Sequence, residues 1–239
     1  MDIMVNWISN FFCILELIQE GKIKYVGLSE APPEIIRRAH KVTPLSAVQQ
    51  EWSLIARDLE EDGGIVDTCK ELGIAIVPYR YSSRFSLFSN DPNIMLICLV
   101  RKCLPKCPLL YSVLSPVARG FLSGAHQSQT PSDWRAQMPY LNEENLKDNV
   151  HVVKEIELMA KEKGVTLSQL SLAWVINQGN FVFPIPGTTK IKHLEENAKA
   201  SDVILTVEER SKIADAASKI KGERGNESYM GTTFHAYKK

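Results

Sequence analysis

Residues 21–54 read GKIKYVGLSEAPPEIIRRAHKVTPLSAVQQEWSL and decide the fold. The segment Ile23–Leu28 is short, apolar and rich in β-branched and aromatic residues, which predicts a buried strand. Two prolines, beginning at Pro32, then open an amphipathic stretch that we predict to be a helix through Lys41. The apolar run Leu45–Gln50 predicts a second strand. A strand, a helix and a strand in this order predict a parallel pair joined by a helical crossover.

The same alternation continues along the rest of the chain. Further helices are predicted over Ile65–Leu72, Asn142–Lys163, Leu167–Asn177, Ile191–Ala200 and Val207–Ile220. Further strands are predicted over Ile74–Pro78 and Phe181–Pro184. Thr166 and Thr206 precede two of these helices as N-cap residues. Apolar strands that alternate with helices indicate an α/β fold, in which helices cover a parallel sheet.

The composition of the chain excludes several classes of protein. Its 239 residues carry 28 basic and 28 acidic side chains, so charge gives no reason to expect a nucleic-acid partner. The five cysteines are an odd number without regular spacing, which favours a reducing compartment. The apolar segment Ile3–Ile18 is interrupted by polar residues and lacks the features of an export signal. We therefore expect a soluble, cytoplasmic chain with no membrane partner.

One segment, Arg80–Leu114, breaks the alternation. We predict neither a helix nor a regular strand there, although it contains the apolar run Ile94–Val100. Three of the five cysteines lie in this segment, but their spacing is not that of a standard zinc site, so no metal site is predicted. A structureless loop of this length inside a compact domain indicates either a function or a translated non-coding stretch. We interpret residues 80–114 as an insert.

Four motifs resemble the aldo-keto reductase family, and in particular its plant NADPH-dependent members. They are GKIKYVGLSEA (Gly21–Ala31), AVQQEWSL (Ala47–Leu54), SPVARGFLSG (Ser115–Gly124) and PIPGTTKIKHLEEN (Pro184–Asn197). The resemblance implies an (α/β)8 barrel of the TIM type, with the active site at the carboxyl ends of its strands. The motifs match the fifth to eighth strands of the family. A closed barrel needs about 250 residues, so the expected fold is an incomplete TIM-type barrel with an irregular insert.

The resemblance implies NADP(H) as the cofactor and assigns residues to it. Ser29 and Gln49 match the positions that hydrogen-bond the nicotinamide carboxamide, and Tyr79 matches the aromatic residue that stacks on the nicotinamide ring. Tyr111 is a rival for the stacking role, because the insert separates Tyr79 from the next motif. The loop that wraps the pyrophosphate is matched by Ser115, Pro116, Arg119 and Gly120. The positions that hold the adenosine 2′-phosphate and the adenine are matched by Gly187, Thr188, Thr189, Lys190, Glu196 and Asn197.

The chemistry of these side chains agrees with the implied roles. Ser115 and Gly120 are small, so backbone N–H groups can approach phosphate oxygens closely, and Arg119 can add charge-assisted hydrogen bonds. The segment Gly187–Thr189 lies between a predicted strand and a predicted helix, where N–H groups and the helix dipole attract anions. Lys190 adds a point charge there. The same segment also has an ordinary interpretation as a helix cap.

The proton-transfer group of the family has no match in this chain. In the family a tyrosine protonates the carbonyl oxygen, assisted by a lysine, an aspartate and a histidine from the ends of earlier strands. The roughly 20 residues before the first motif contain none of the family's Asp-Tyr motif. Four of the five histidines fall on predicted helices or loops; they are His40, His126, His151 and His193. We predict no catalytic residue.

These expectations divide the chain and suggest two functions. The predicted units are a helix remnant at 1–21, a reductase domain at 22–79 and 115–221, the insert at 80–114, and a tail at 222–239. The predicted function is that of a truncated NADP-dependent oxidoreductase of aldehydes and ketones, with a small carbonyl compound as the parent substrate, weak NADPH binding and negligible turnover. The alternative is a non-catalytic interaction module built on the barrel remnant. Open edges at the fifth and eighth strands predict self-association.

Overall fold

The structure is a computed structural model that describes residues 14–79, the backbone of residues 95–99, and residues 118–123, 137–188, 190–231 and 233. Its centre is a four-stranded sheet in the order β3-β2-β1-β4. Strands β1 (Tyr25–Ser29), β2 (Ala47–Glu51) and β3 (Ala75–Tyr79) are parallel to one another. Strand β4 (Met95–Leu99) runs antiparallel to β1. The carboxyl ends of the three parallel strands therefore meet at one edge of the sheet.

The two faces of the sheet differ in composition and burial. Val26, Leu28, Val48 and Ile76 point to one face and are each at most 3% exposed, within the hydrophobic core that the helices share. The opposite face carries small or polar side chains, and its members Ala47, Ala75 and Val77 are only half-buried. Since side chains alternate along a strand, Ser29, Gln49, Glu51 and Tyr79 lie on this second face at the carboxyl edge.

Helices alternate with the strands as the sequence predicts, with bounds that differ by a few residues. They are α1 (14–19), α2 (Pro33–Val42), α3 (Ile65–Leu72), α4 (Glu143–Glu162), α5 (Leu167–Ile176), α6 (Ile191–Ala198), α7 (Val207–Ala217) and α8 (Glu227–Met230). Short 3-10 helices lie at Asp58–Glu60, Ala118–Ser123, Pro139–Leu141 and Lys199–Asp202. The predicted caps are confirmed, because Thr166 and Thr206 each form a capping box with the residue three positions on. Such a cap stabilises a helix by about 1 kcal/mol.

The predicted strand Phe181–Pro184 forms only one bridge, a parallel pair between Val182 and Ile76. The N–H of Phe183 donates to the carbonyl of Ile76 at 2.9 Å, and the N–H of Ile185 donates to the carbonyl of Pro78 at 3.1 Å. The segment 181–185 therefore runs beside β3 in the expected direction. The alternate positions, Pro184 and Pro186, have no N–H to offer a strand on the other side.

The insert contains a strand that the sequence analysis did not predict. Five residue pairs, from Tyr25 with Leu99 to Ser29 with Met95, join β4 to β1. The prediction of no regular strand in residues 80–114 is thus wrong at Met95–Leu99, where an apolar, β-branched run meets the unpaired backbone of β1. The expectation of an open edge at β1 is wrong for the same reason. At the other side of the sheet, the outer edge of 181–185 has no paired strand among the residues that the structure describes.

Candidate functional site

The carboxyl edge of the sheet brings together the three residues predicted to hold the nicotinamide. Ser29 is paired in register with Gln49, and its hydroxyl donates to the Gln49 Oε1 at 3.4 Å. Tyr79 lies two positions further along β3 than Val77, the residue level with Gln49, and it is in register with Glu51 at the end of β2. Tyr79 is 3% exposed and its hydroxyl donates to Glu30 Oε1 at 3.0 Å. The fold thus brings these three residues to one edge of the sheet, and their role in holding the nicotinamide stays a prediction.

Sequence reasoning missed a cluster of charged residues at this same edge. We call Glu30, Glu51, Arg224 and the Tyr79 hydroxyl the carboxylate cluster. Glu30 follows β1 with a positive φ of 51°, and its Oε1 also accepts a hydrogen bond from the backbone N–H of Glu51 at 3.1 Å. The guanidinium of Arg224 donates to Glu51 Oε2, and its Nε lies 2.8 Å from Asp58 Oδ2. The signal that could have pointed to these residues is a glutamate at the carboxyl end of each of two strands, with Glu30 directly after β1 and Glu51 as the last residue of β2.

The carboxylate cluster is almost completely removed from water. Glu30, Glu51 and Arg224 are 7%, 1% and 3% exposed. Burial raises the pKa of Glu30 above its ordinary value. The positive charge of Arg224 opposes this rise in pKa, the negative charge of Glu51 adds to it, and the Tyr79 hydroxyl lowers it slightly. Glu30 Oε2 has no hydrogen-bond partner among the described residues, which adds to the cost of ionising this carboxyl.

The segment predicted to wrap the pyrophosphate, Ser115–Gly124, is described by the structure from Ala118 to Ser123. It forms a 3-10 helix over Ala118–Ser123, held to the core by Phe121 and Leu122, which are fully buried. The hydroxyl of Tyr140 donates to the Ala118 carbonyl at 3.5 Å, and the Phe121 and Tyr140 rings lie 5.8 Å apart. Of the predicted residues here, Arg119 and Gly120 are described by their backbone alone. Ser115 and Pro116 lie outside the described residues, as does Tyr111, the rival to Tyr79.

The segment predicted to hold the 2′-phosphate follows Ile185. Because Ile185 pairs with Pro78 in the parallel direction, Gly187 and Thr188 leave the sheet at its carboxyl edge. The Thr188 Oγ1 accepts a hydrogen bond from the Lys190 N–H at 3.2 Å, and Lys190 is the exposed N-cap residue of α6. The Lys190 side chain makes no capping hydrogen bond to this helix end, and the first N–H groups of a helix have no partner within the helix itself. Thr189 is outside the described part of the chain.

The two residues predicted to reach the adenine have different surroundings. Glu196 accepts a hydrogen bond from the Thr166 hydroxyl at 2.6 Å, and its other oxygen lies 3.2 Å from His193 Nδ1. The Thr166 hydroxyl is the main reason that the pKa of Glu196 is lowered. Glu196 thus ties α6 to the N-terminus of α5. Asn197 lines a mostly apolar cavity of about 790 Å³ between segment 181–186, α5 and α6.

The histidines have no arrangement for proton transfer in the described residues. His40 Nδ1 accepts a hydrogen bond from the Leu45 N–H at 3.2 Å, and His193 pairs with Glu196. His151 is exposed on α4, and His126 is outside the described ranges. Within those ranges no group of three or more His, Cys, Asp or Glu side chains could hold a metal ion. The insert cysteines that raised the metal question are not among the side chains described.

Comparison with known proteins identifies the family. The model of the aldo/keto reductase family matches residues 7–87 and 81–218. A curated relative from Glycine max, named probable aldo-keto reductase 1, is 39% identical over 226 residues, which are 93% of this chain and 54% of the relative. The chain belongs to the aldo/keto reductase family. It spans about half the length of this curated relative.

Solved aldo/keto reductase structures share the fold of this family member. The glycerol dehydrogenase from Gluconobacter oxydans aligns with a TM-score of 0.64 at 22% identity, covering 86% of this chain and 52% of that one. An aldo-keto reductase from Klebsiella pneumoniae, solved in complex with NADPH, aligns with a TM-score of 0.51 at 22% identity, covering 84% and 50% of the two chains. These likenesses indicate an α/β fold of the TIM-barrel type. No helix within the described residues of this aldo/keto reductase is long and apolar enough to cross a membrane.

Proposed function

We propose that this chain supplies the NADP(H)-binding half of an aldo/keto reductase barrel, with β1, β2, β3 and segment 181–185 as its fifth to eighth strands. The observation that carries the proposal is the meeting of Ser29, Gln49 and Tyr79 at the carboxyl edge, where Gly187 and Thr188 also leave the sheet. In barrels of this type, ligands bind at the carboxyl ends of the strands.

The residues at this edge suit the two ends of the cofactor. Ser29 and Gln49 offer an uncharged donor and acceptors, which is what a carboxamide group needs. A phosphate is suited by the hydroxyl of Thr188, the positive charge of Lys190 and the N-terminus of α6. When bound, NADPH supplies the hydride. The chain's own residues bind and orient the cofactor at the edge of the sheet, and the burial of Ser29 and Tyr79 excludes water there.

We propose that the 239-residue chain alone turns over carbonyl substrates only negligibly. The sequence contains no Asp-Tyr motif for the family's proton donor, and no described histidine faces Ser29 or Gln49 through a hydrogen bond. A missing general acid lowers the rate by about 10²–10⁴-fold. A small aldehyde or ketone remains the proposed substrate class of the family's complete barrel. The odd number of cysteines, five, supports the cytoplasm as the proposed compartment.

Fluorescence titration with NADPH tests the cofactor proposal. Lys190→Ala should weaken NADPH binding by about tenfold, because a charge-assisted contact to phosphate is lost. Lys212→Ala is the matched control, since Lys212 is also exposed but lies on α7. Titration with NADH, which lacks the 2′-phosphate, should show a smaller effect of Lys190→Ala. Equal NADPH affinities for wild type and Lys190→Ala would reject the assignment of Lys190.

The alternative function, a non-catalytic interaction module, is favoured by one observation. Strand β4 pairs with β1 along five residue pairs, so part of the insert packs onto the sheet instead of standing apart from it. An insert that completes the sheet can present a new surface to a partner. A chain that unfolds cooperatively but gives no NADPH signal would favour this function over cofactor binding.

A further inference from the structure

The segment after α7 reaches back to the carboxyl edge of the sheet. Asn149 holds it at Lys221 through two hydrogen bonds, because Asn149 Nδ2 donates to the Lys221 carbonyl at 2.8 Å and Asn149 Oδ1 accepts from the Lys221 N–H at 2.7 Å. Asn149 itself is fully buried. Three residues further on, Arg224 enters the carboxylate cluster and is 3% exposed. From the sequence, Arg224 belongs to the predicted tail at 222–239, to which no role was assigned.

A continuous series of hydrogen bonds joins Arg224 to the proposed nicotinamide residues. The guanidinium donates to the Glu51 carboxylate, and the N–H of Glu51 donates to the Glu30 carboxylate at 3.1 Å. The N–H of Glu30 donates to the Gln49 carbonyl at 3.0 Å. The Ser29 hydroxyl then donates to the Gln49 side chain, and the Tyr79 hydroxyl donates to the Glu30 carboxylate. Each parallel strand thus contributes at least one member to a network that ends at Arg224.

We propose that Arg224 is a positioning residue of the nicotinamide end of the cofactor site, acting through Glu51 and Glu30 on Gln49 and Tyr79. The inference rests on the proposed NADP(H) function and extends it to the segment after α7. Arg224 does not touch the cofactor in this assignment. It fixes the ends of β1, β2 and β3 relative to one another.

The charges of the cluster explain why an arginine is needed at this position. The groups that face one another are Glu30 after β1, Glu51 at the end of β2, Tyr79 at the end of β3, Asp58 of the 3-10 helix, and Arg224. Two buried carboxyl groups cannot both stay ionised at low cost without a cation between them. A carboxyl that takes up a proton becomes a donor, and the Tyr79 hydroxyl then loses a charged acceptor. A planar guanidinium can serve Glu51 and Asp58 at the same time, whereas an ammonium group is a single point charge.

The test compares the full chain with Arg224→Met, Arg224→Lys and the control Lys221→Met. Lys221 lies in the same segment, and its exposed side chain pairs with Asp148. The first readout needs no cofactor. It is the chemical shift of Tyr79 Cζ as a function of pH, in a chain labelled with ¹³C at tyrosine Cζ, which reports the ionisation of the hydrogen-bonded Glu30 carboxyl. The Tyr79 signal is assigned among the seven tyrosines by its loss in Tyr79→Phe. Since the Arg224 charge lowers the pKa of Glu30, Arg224→Met should move the midpoint of the Glu30 ionisation, as sensed at the Tyr79 ring, to higher pH. Arg224→Lys should move it less, and Lys221→Met should leave it unchanged.

The second readout separates the two ends of the cofactor. Arg224→Met should weaken NADPH binding by about tenfold but leave the affinity for adenosine 2′,5′-bisphosphate, which lacks the nicotinamide, as in wild type. An unchanged Tyr79 titration in Arg224→Met, or an equal loss of affinity for both ligands, would overturn the inference. If Arg224→Met does not fold, the Tyr79 titration of Arg224→Lys decides in the same way. If wild type binds no NADPH, the proposed function fails, while the Tyr79 titration still shows whether Arg224 positions the cluster.

Discussion

Replacing Tyr79 by phenylalanine removes one buried hydroxyl and keeps the ring. That hydroxyl donates to Glu30 Oε1 at 3.0 Å, at a position that is 3% exposed. Glu30 would keep the backbone N–H of Glu51 as a donor but lose its side-chain donor. Leaving a buried acceptor with fewer partners costs about 1–3 kcal/mol. In a chain of this size each kcal/mol changes the melting temperature by about 2–4 °C.

The pH dependence of this loss follows from the carboxyl group. Burial raises the pKa of Glu30 above the ordinary value of 4.5, so the folded state loses stability as rising pH ionises Glu30. The Tyr79 hydroxyl lowers this pKa, so Tyr79→Phe raises it further. The free energy of unfolding of the variant then falls over a wider pH range than that of wild type. The difference in the free energy of unfolding between the two chains should therefore grow as pH increases.

Urea unfolding at about pH 5 and about pH 8 measures this difference. Tyr25→Phe is the matched control, because Tyr25 is 50% exposed and no large change in stability is expected from it. The reasoning would be refuted if Tyr79→Phe were as stable as wild type at both pH values. It would also be refuted if the difference became smaller towards high pH. Retained NADPH affinity in Tyr79→Phe would fit a role of the ring in the cofactor site.

Three other changes test separate features of the fold. Thr166→Ala removes both the cap of α5 and the hydroxyl that donates to Glu196, so it should lower the free energy of unfolding by about 1–2 kcal/mol in thermal or urea unfolding. Gly222→Ala should destabilise the chain in the same assay, because φ is 86° and the new Cβ would lie 2.6 Å from the Pro139 carbonyl carbon. Gly21→Ala is the control and should destabilise the chain less, because φ is 70° and there is open space around the new Cβ. Ile97→Pro should disrupt the pairing of β4 with β1 and increase self-association in light scattering. If wild type and variant are both monodisperse monomers, the proposed role of the sheet edges is contradicted.

The features predicted correctly from sequence are those that depend on nearby residues. A helix cap needs a threonine and a partner three positions on, so Thr166 and Thr206 could be assigned from local sequence alone. Local sequence also explains the end of α3, because Gly73 directly follows the predicted helix Ile65–Leu72 and adopts a φ of 66° there. The parallel order of β1, β2 and β3 follows from the alternation of apolar strands with helices. The joint position of Ser29 and Gln49 then follows from the register of two neighbouring strands.

The features that were missed depend on residues far apart in the sequence. Arg224 and Glu51 are separated by 173 positions, and neither residue carries a local signal that it will be buried. An isolated arginine in a polar tail is normally a solvated residue. The strand β4 was missed for a related reason, because an apolar run shows its tendency to extend but not the partner with which it pairs.

The two missed features have opposite physical consequences for this chain. Pairing with β4 satisfies backbone groups of β1 that would otherwise face water or another chain. The carboxylate cluster instead keeps charged groups out of water, which costs free energy unless every partner is in place. A chain that retains such a cluster at the ends of three strands therefore loses stability there. Because these strand ends carry Ser29, Gln49 and Tyr79, the position of this cost is a second structural argument for the proposed ligand binding at this edge.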